Sequence, residues 1–261
     1  MMQFFYLWVF IFGLIIGSFL NCLIWRIYKK EGMWDRSYCP QCRKQIDWFD
    51  NIPVISYLLL RGKCRHCHKK ISCQYPIVEF LTGIFFLMAF IKNSLGLPNF
   101  YDFDFNFWLL NLRDWYIIAL MIIIFVYDLR WFLVLDRVTL PACLILFLIN
   151  LSLGLSWQNL LISGIIGGSF FLTQFVISQG RWIGGGDIRL GLLLGFALGW
   201  PYGLLAIFLA YIIGSVVGIG LIIGKKRGMK SEIPLGTFLA VATLITLFWG
   251  ESILQWYLNL L

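Results

Sequence analysis

The chain has 261 residues, of which 60% are hydrophobic and only 13% charged, and its mean hydropathy is +0.83. A soluble domain of this length does not have such a composition, so we predict a chain that crosses a membrane several times. The formal net charge of +8 is explained by basic residues in cytoplasmic loops, which face anionic membrane lipid. No nucleic-acid partner is expected.

The first apolar segment covers residues 4–24 and could be a signal peptide or a retained helix. It has no basic segment before it and no small-residue cleavage site after it, so we predict a retained transmembrane helix. Gly13, Gly17 and Ser18 within this segment are small residues that allow close packing against a second helix.

Further apolar runs follow along the whole chain. Runs of about 17–25 such residues are long enough to cross a bilayer as helices. We predict spans near residues 4–25, 77–92, 115–135, 138–154, 158–178, 188–201, 202–223 and 233–258. The predicted class is an all-α polytopic membrane protein with about eight transmembrane helices. At residues 200–203, both a tight turn and a kinked single helix are compatible with the proline.

The distribution of basic residues predicts the orientation of the chain. Eleven of the 21 Lys/Arg lie between Arg26 and Lys70, and eight more lie in later connections, namely Arg130, Arg137, Arg181, Arg189, Lys225, Lys226, Arg227 and Lys230. Because Lys and Arg favour the cytoplasmic side, these segments are expected in the cytoplasm and the N-terminus outside. The outer side then holds only Lys92 and Arg113, with an external loop at 93–114 that contains Asp102, Asp104 and Asp114.

The polar segment at residues 26–76 contains two pairs of cysteines. Cys39-Pro40-Gln41-Cys42 and Cys64-Arg65-His66-Cys67 are separated by 21 residues, a spacing close to that of a zinc ribbon. Such a short insert cannot bury much core, so a bound metal would supply folding free energy. Two disulfides or four free thiols are the alternatives, and a reducing cytoplasm disfavours disulfides. We predict zinc on Cys39, Cys42, Cys64 and Cys67.

Other residues of the insert are interpreted in relation to this site. His66 or His68 could replace one thiolate, but four cysteines are favoured. Cys73 does not match the paired spacing and is interpreted as an extra thiol. The predicted organisation is a first transmembrane helix at 1–25, a zinc-ribbon-like insert at 26–76 and a multi-helix membrane domain at 77–261.

Two carboxylates lie where the bilayer disfavours charge. Asp128 follows the apolar run 115–126, and Asp187 closes the sequence Gly184-Gly185-Gly186-Asp187. Such residues cost several kcal/mol at membrane depth and usually have a function. If the two acids meet, repulsion keeps one protonated while the other is ionised, which suits the activation of a water molecule. The three glycines would let the backbone approach an extended substrate.

Other interpretations of these acids stay open on spacing alone. The Gly-x-Gly-Asp sequence could be a loop that ends in a helix-capping Asp. Asp128 could pair with Arg130 at the membrane interface. Asp136, eight residues after Asp128, is a second candidate partner for Asp187.

The chain resembles a known family, the bacterial type IV prepilin peptidases, also called prepilin leader peptidase/N-methyltransferases. The resemblance covers most of the chain. Besides the two cysteine pairs, it rests on Gly17-Ser18-Phe19-Leu20-Asn21, Asn51-Ile52-Pro53-Val54-Ile55-Ser56-Tyr57, Tyr75-Pro76-Ile77-Val78-Glu79, Asp128-Leu129-Arg130, Leu135-Asp136-Arg137-Val138-Thr139 and Gly184-Gly185-Gly186-Asp187-Ile188-Arg189.

The resemblance implies an intramembrane aspartyl protease of the GxGD class. Asp128 and Asp187 match its two catalytic aspartates, and the position of Asp136 can be Asn in relatives, which argues against catalysis there. Arg189 departs from the more usual Lys. The implied enzyme lies in the bacterial inner membrane, cuts the short basic leader of prepilins and pseudopilins on the cytoplasmic side, and methylates the new N-terminus with S-adenosylmethionine.

The residues themselves indicate the methyl transfer only weakly. No GxGxxG sequence follows a strand, so no dinucleotide-type site can be assigned, and the residues that bind the methyl donor are not identified. Asn21 and Glu79 are candidates, with helix-end structural roles as the favoured alternative. Two other functions remain as hypotheses: an ion- or proton-coupled transporter with a zinc-binding regulatory insert, and an assembly protein whose insert docks a partner.

Overall fold

The computed structural model describes residues 2–32, 35–95, 104–224 and 234–260. Over these ranges the chain is helical without a strand, and the all-α prediction is confirmed. The helices are α1 (Met2–Lys29), α2 (Ile55–Leu59), α3 (Gln74–Ser94), α4 (Phe105–Trp131), α5 (Asp136–Ser152), α6 (Trp157–Ser178), α7 (Gly185–Leu198), α8 (Tyr202–Ile223) and α9 (Leu235–Leu258), with a 3-10 turn at Trp48–Asn51.

Each predicted span corresponds to a helix, but the predicted number of about eight spans is not confirmed. Among the described residues six helices are long and apolar enough to cross a membrane, namely α1, α3, α4, α6, α8 and α9. The other two helices that correspond to predicted spans are shorter, with 17 residues in α5 and 14 in α7. At residues 199–201 the chain turns between α7 and α8, so these are two helices and not one kinked helix.

The predicted external loop at 93–114 is partly wrong, because α4 begins at Phe105. Asn111 and Asp114 interrupt the apolar pattern there, yet both are buried, and Arg113 donates to the Asp114 carboxylate at 2.6 and 2.9 Å. Burial with hydrogen-bonded partners lets polar residues lie inside a membrane helix. Asp102 and the basic residues Lys225, Lys226, Arg227 and Lys230 lie outside the described residues.

The chain forms two compact units, Met1–Phe107 and Trp108–Leu261. In the first unit α1 packs against α3 through small residues. A Cβ atom on Gly13 would lie 2.7 Å from the Gly83 Cα, and one on Gly17 would lie 2.6 Å from the Glu79 Cα. The close packing predicted for Gly13 and Gly17 is therefore confirmed. The cysteine-bearing insert connects these two helices.

In the second unit α7 is the central helix, in contact with α5, α6, α8 and α9. Leu190, Leu193 and Leu194 on this helix are fully buried. A Cβ atom on Gly191 would lie 2.3 Å from the Gly167 carbonyl oxygen, so α6 and α7 pack backbone to backbone. The short α7 thus holds Asp187, in its first turn, inside the unit.

Candidate active site and metal site

Asp128 lies in the last turn of α4 and is buried. Its Oδ2 atom accepts hydrogen bonds from the Thr237 backbone N–H at 2.8 Å and from the Thr237 hydroxyl at 3.2 Å. Thr237 belongs to the first turn of α9. The unsatisfied N–H groups and the dipole at a helix N-terminus favour an anion there. The start of α9 therefore holds this carboxylate at a fixed position.

Asp187 is also buried, in the first turn of α7. Its Oδ2 atom accepts a hydrogen bond from the Gly184 backbone N–H at 3.0 Å, while its own N–H donates to the Gly184 carbonyl at 3.1 Å. Asp187 thus caps the helix from its third position, whereas Gly184 is the N-cap residue, so the alternative of an N-cap Asp at 187 is wrong. Capping occupies one carboxylate oxygen, so it does not exclude a second role for the other.

Gly236, in the first turn of α9, packs between Asp128 and α7. A Cβ atom on Gly236 would lie 2.8 Å from Asp128 Oδ2 and 3.2 Å from the side chain of Leu190, which is one turn along α7 from Asp187. Burial, and to a smaller extent the charge of Asp128, raises the pKa of Asp187 to about 6. The buried acids Asp128 and Asp187 therefore lie at the ends of two helices that both contact α9.

Asp136 has a different partner. It begins α5 and forms an ion pair with Arg189, one of the ion pairs found among the described residues. Asp128 forms no ion pair with any of the described residues. The Arg130 guanidinium carbon instead lies 5.8 Å from the centre of the Trp131 ring. The Asp128–Arg130 pairing is therefore wrong, and the acid at 136 is neutralised by a basic side chain beside the buried pair.

The three glycines before Asp187 differ in the space around them. A Cβ atom on Gly186 would lie 2.6 Å from the Val134 Cβ, whereas no atom lies within 4 Å of a Cβ atom on Gly185. The Gly184 N–H donates to the Asp187 carboxylate. Gly186 therefore lets the connection between α4 and α5 pack against the start of α7.

We predict that Gly186→Ala weakens cleavage and lowers the melting temperature, because overpacking of this kind costs about 1–3 kcal/mol. Gly185→Ala is the matched control and should keep both properties. Thermal unfolding in detergent and a cleavage assay measure the two effects. Equal behaviour of the two variants would contradict a packing role for Gly186.

Sequence reasoning did not identify Thr237 and Gly236. A threonine shortly after Pro234, at the start of an apolar run, is typical of the start of a helix. This pattern indicates the helix but not the contact with an acid. Its contact with Asp128, 109 residues away along the chain, depends on tertiary packing.

We predict that Thr237→Val reduces the kcat for cleavage about tenfold or more, since a hydrogen bond to a charged group contributes about 1.5–3 kcal/mol. Thr237→Ser keeps the hydroxyl and should restore most of the rate. Steady-state kinetics on both variants tests the prediction. A Val variant as active as the Ser variant would show that the hydroxyl does not position Asp128.

The metal site is built from two turns with the same backbone pattern. In the first turn the Cys39 N–H donates to the Lys44 carbonyl, and the Cys39 carbonyl accepts from the Arg43 N–H. In the second turn the Cys64 N–H donates to the Lys69 carbonyl, and the Cys64 carbonyl accepts from the His68 N–H. Arg43 and His68 both have positive φ, at 58° and 55°. Each turn therefore presents its two sulfurs in the same manner.

The four predicted sulfurs converge. All their metal-binding atoms lie within 4.8 Å of one another, and the Sγ atoms of Cys39 and Cys67 are 3.9 Å apart. Sulfurs at about 2.3 Å around a tetrahedral zinc are about 3.8 Å apart, so the set fits this metal. Backbone N–H groups of Cys67 and His66 point at the Cys64 sulfur and lower the pKa of that thiol to about 7, whereas burial and the neighbouring sulfurs raise the pKa of Cys67 to about 11.

The remaining candidates of the insert lie outside this cluster. His66 and His68 are not part of the converging group found among the described residues. Cys73 is exposed, with its sulfur 3.3 Å from the Tyr57 hydroxyl. Four cysteines without a histidine are thus the set that the structure offers to a metal.

Asn21 and Glu79 are both buried; Asn21 joins α1 to the first turn of α3, and Glu79 joins α3 to the insert. Asn21 Nδ2 donates to the Tyr75 carbonyl at 3.0 Å, and Glu79 Oε2 accepts from the Val54 N–H at 2.7 Å. These contacts support the structural interpretation of both residues. Nothing in the described part of the chain identifies a pocket for a methyl donor.

Fold and site together define a polytopic helical membrane protein with two buried acids at helix ends and a four-cysteine cluster. Residues 11–93 match the Bacterial Peptidase A24 N-terminal domain, and residues 115–219 match the Type IV leader peptidase family. The chain belongs to the type IV leader peptidase family.

Relatives with the name "Prepilin leader peptidase/N-methyltransferase" match almost end to end. The protein of Aeromonas hydrophila is 34% identical over 96% of this chain and 93% of its own length. That of Bacillus subtilis (strain 168) is 30% identical over 97% of both chains, and that of Legionella pneumophila is 29% identical over 98% of this chain and 95% of its own. No solved structure matches the chain.

Proposed function

We propose that the protein is a prepilin leader peptidase that also methylates the N-terminus it exposes. Its membership of the type IV leader peptidase family and the names of its relatives support this activity. The structural observation that supports the proposal is that Asp128 and Asp187 are both buried at helix ends, with Gly236 of α9 packed between Asp128 and Leu190, one turn along α7 from Asp187. A pair of buried acids is the arrangement that aspartyl proteases use to activate water.

In the proposed mechanism each acid is fixed through one oxygen. Thr237 holds Asp128 Oδ2, and the Gly184 N–H holds Asp187 Oδ2; in the proposal the Oδ1 atoms contact water and substrate. The ionised acid takes a proton from water while the protonated acid donates a hydrogen bond to the scissile carbonyl. Water adds to the carbonyl carbon, the C–N bond breaks, and the amine leaves with a proton. No covalent enzyme intermediate forms.

The proposed substrates are prepilins and pseudopilins with a short basic leader. In the proposal α5 and α7 also cross the bilayer, and the positive-inside distribution of Lys and Arg then supports an outside N-terminus, with both acids and the insert at the cytoplasmic side of the inner membrane. The apolar helix of the substrate would lie in the bilayer, and the scissile bond would reach the acids at the interface.

Cys39, Cys42, Cys64 and Cys67 would hold a zinc ion in the proposed enzyme. Four thiolates close the coordination sphere, so the ion would stabilise the fold of the insert and would not bind water or substrate. S-adenosylmethionine is the proposed methyl donor, and the name of the relatives as N-methyltransferases supports it.

The test is to incubate the purified full chain with a prepilin in lipid and follow the substrate by mass spectrometry. We expect loss of the leader, and a further mass gain of one methyl group when S-adenosylmethionine is added. An unchanged prepilin would contradict the peptidase and would favour the transporter or assembly hypotheses. Cleavage without the methyl gain would contradict only the second activity.

A further inference from the structure

The exposed face of the insert between residues 48 and 59 is apolar. In α2 the residues Ile55, Leu58 and Leu59 share one helix face, and the side chains of Leu58 and Leu59 are 67% and 77% exposed. Trp48, in the preceding 3-10 turn, is 80% exposed. Tyr57 turns the other way and contacts Cys73 at the start of α3. A polar insert in water would present the opposite pattern.

Hydrogen bonds show how deep this face lies relative to the helices. The Val54 N–H, just before α2, donates to Glu79, which lies about 7 Å along α3 from its first residue. Gly17 packs against Glu79 and lies about 13 Å along α1 before Arg26, the first basic residue of that helix. Because α1 and α3 are both long and apolar enough to span a membrane, Val54 lies beside their apolar segments.

From Val54, α2 runs back toward the first residue of α3. It passes from Val54 beside Glu79 to Tyr57 beside Cys73, along the first turns of α3, where Ile77 and Phe80 are also exposed. The apolar surface of α2 therefore continues the lipid-facing surface of a membrane helix.

The segment that follows the apolar helix α2 is basic. Five basic residues and no acid lie directly after α2, at Arg61, Lys63, Arg65, Lys69 and Lys70. Asp50, next to the apolar face, is paired with Arg65 by two hydrogen bonds of 2.6 and 2.8 Å. A basic segment just outside an apolar one suits anionic lipid headgroups above acyl chains.

We propose that the segment Trp48–Leu59 is a re-entrant membrane element, which dips into the lipid leaflet beside α3 and is held at that depth by Glu79. The occupant of its apolar face is lipid. The inference does not depend on the peptidase activity, because it rests on contacts within the first unit.

The test places a fluorescent amino acid at single positions of the full chain in lipid nanodiscs. Leu58 is the test position, Phe80 on α3 the lipid-facing control, and Lys44 in the first cysteine turn the water-facing control. Phospholipids brominated on their acyl chains quench labels in the leaflet, whereas iodide quenches labels in water. We expect brominated lipid to quench position 58 nearly as strongly as position 80, with a small loss of fluorescence at position 44.

Two results would overturn the proposal. Strong quenching by iodide with little by brominated lipid would place α2 in water, and no quenching by either agent would mean that protein covers the face. Metal content checks the fold of each labelled protein, and a label at Trp48 replaces the one at Leu58 if that protein does not fold.

Discussion

Replacement of Asp128 or Asp187 by Asn is expected to reduce leader cleavage by about two to four orders of magnitude. Asn has nearly the same shape and can still accept the hydrogen bonds from Thr237 or Gly184, so each variant should remain folded in the membrane. It cannot gain or lose a proton, however, so the water is no longer activated. A prepilin cleavage assay on each purified variant measures the loss.

Asp136→Asn is the matched control for both variants. This residue pairs with Arg189, and both side chains are well exposed; an exposed ion pair contributes only about 0–1 kcal/mol. We expect near-normal cleavage. A loss at Asp136 as large as at Asp128, or near-normal activity of either Asp variant, would show that the pair is assigned to the wrong residues.

Removal of one cysteine from each turn of the insert has the second large expected effect. Cys39→Ser with Cys64→Ser should abolish metal binding and unfold the insert, because structural zinc contributes about 10–16 kcal/mol in small zinc domains. Elemental analysis measures the metal, and limited proteolysis between α1 and α3 measures the unfolding.

Cys73→Ser controls for the loss of a thiol, since this sulfur lies outside the converging group. It should keep about one metal ion per chain. Absence of metal from the unaltered protein, purified under reducing conditions, would contradict the zinc site, as would an equal loss in the Cys73 variant.

Sequence predicts those parts of the site whose chemistry is local. The cysteine turns are complete within a few residues, so their spacing was enough to identify the four sulfurs. Asp128 and Asp187 stand out because a bilayer makes acids costly, even though spacing alone could not choose between Asp128 and Asp136. The helices were located by their apolar runs in the same way.

The remaining features depend on contacts between distant segments. Thr237 and Gly236 have no distinctive chemistry until α9 meets the end of α4. The start of α4 was placed too late because Asn111 and Asp114 are polar but buried. The depth of α2 depends on one hydrogen bond between Val54 and Glu79, which no periodicity indicates.

The central proposal is that Asp128 and Asp187 act as one unit on a single water molecule. A cycle of Asp128→Asn, Asp187→Asn and the double variant tests it most directly, with leader cleavage as the measured rate. Residues that act together lose their effect together, so the double variant should cleave no more slowly than either single variant. A double variant whose loss is the product of the two single losses would show that the acids act independently and would contradict the shared water.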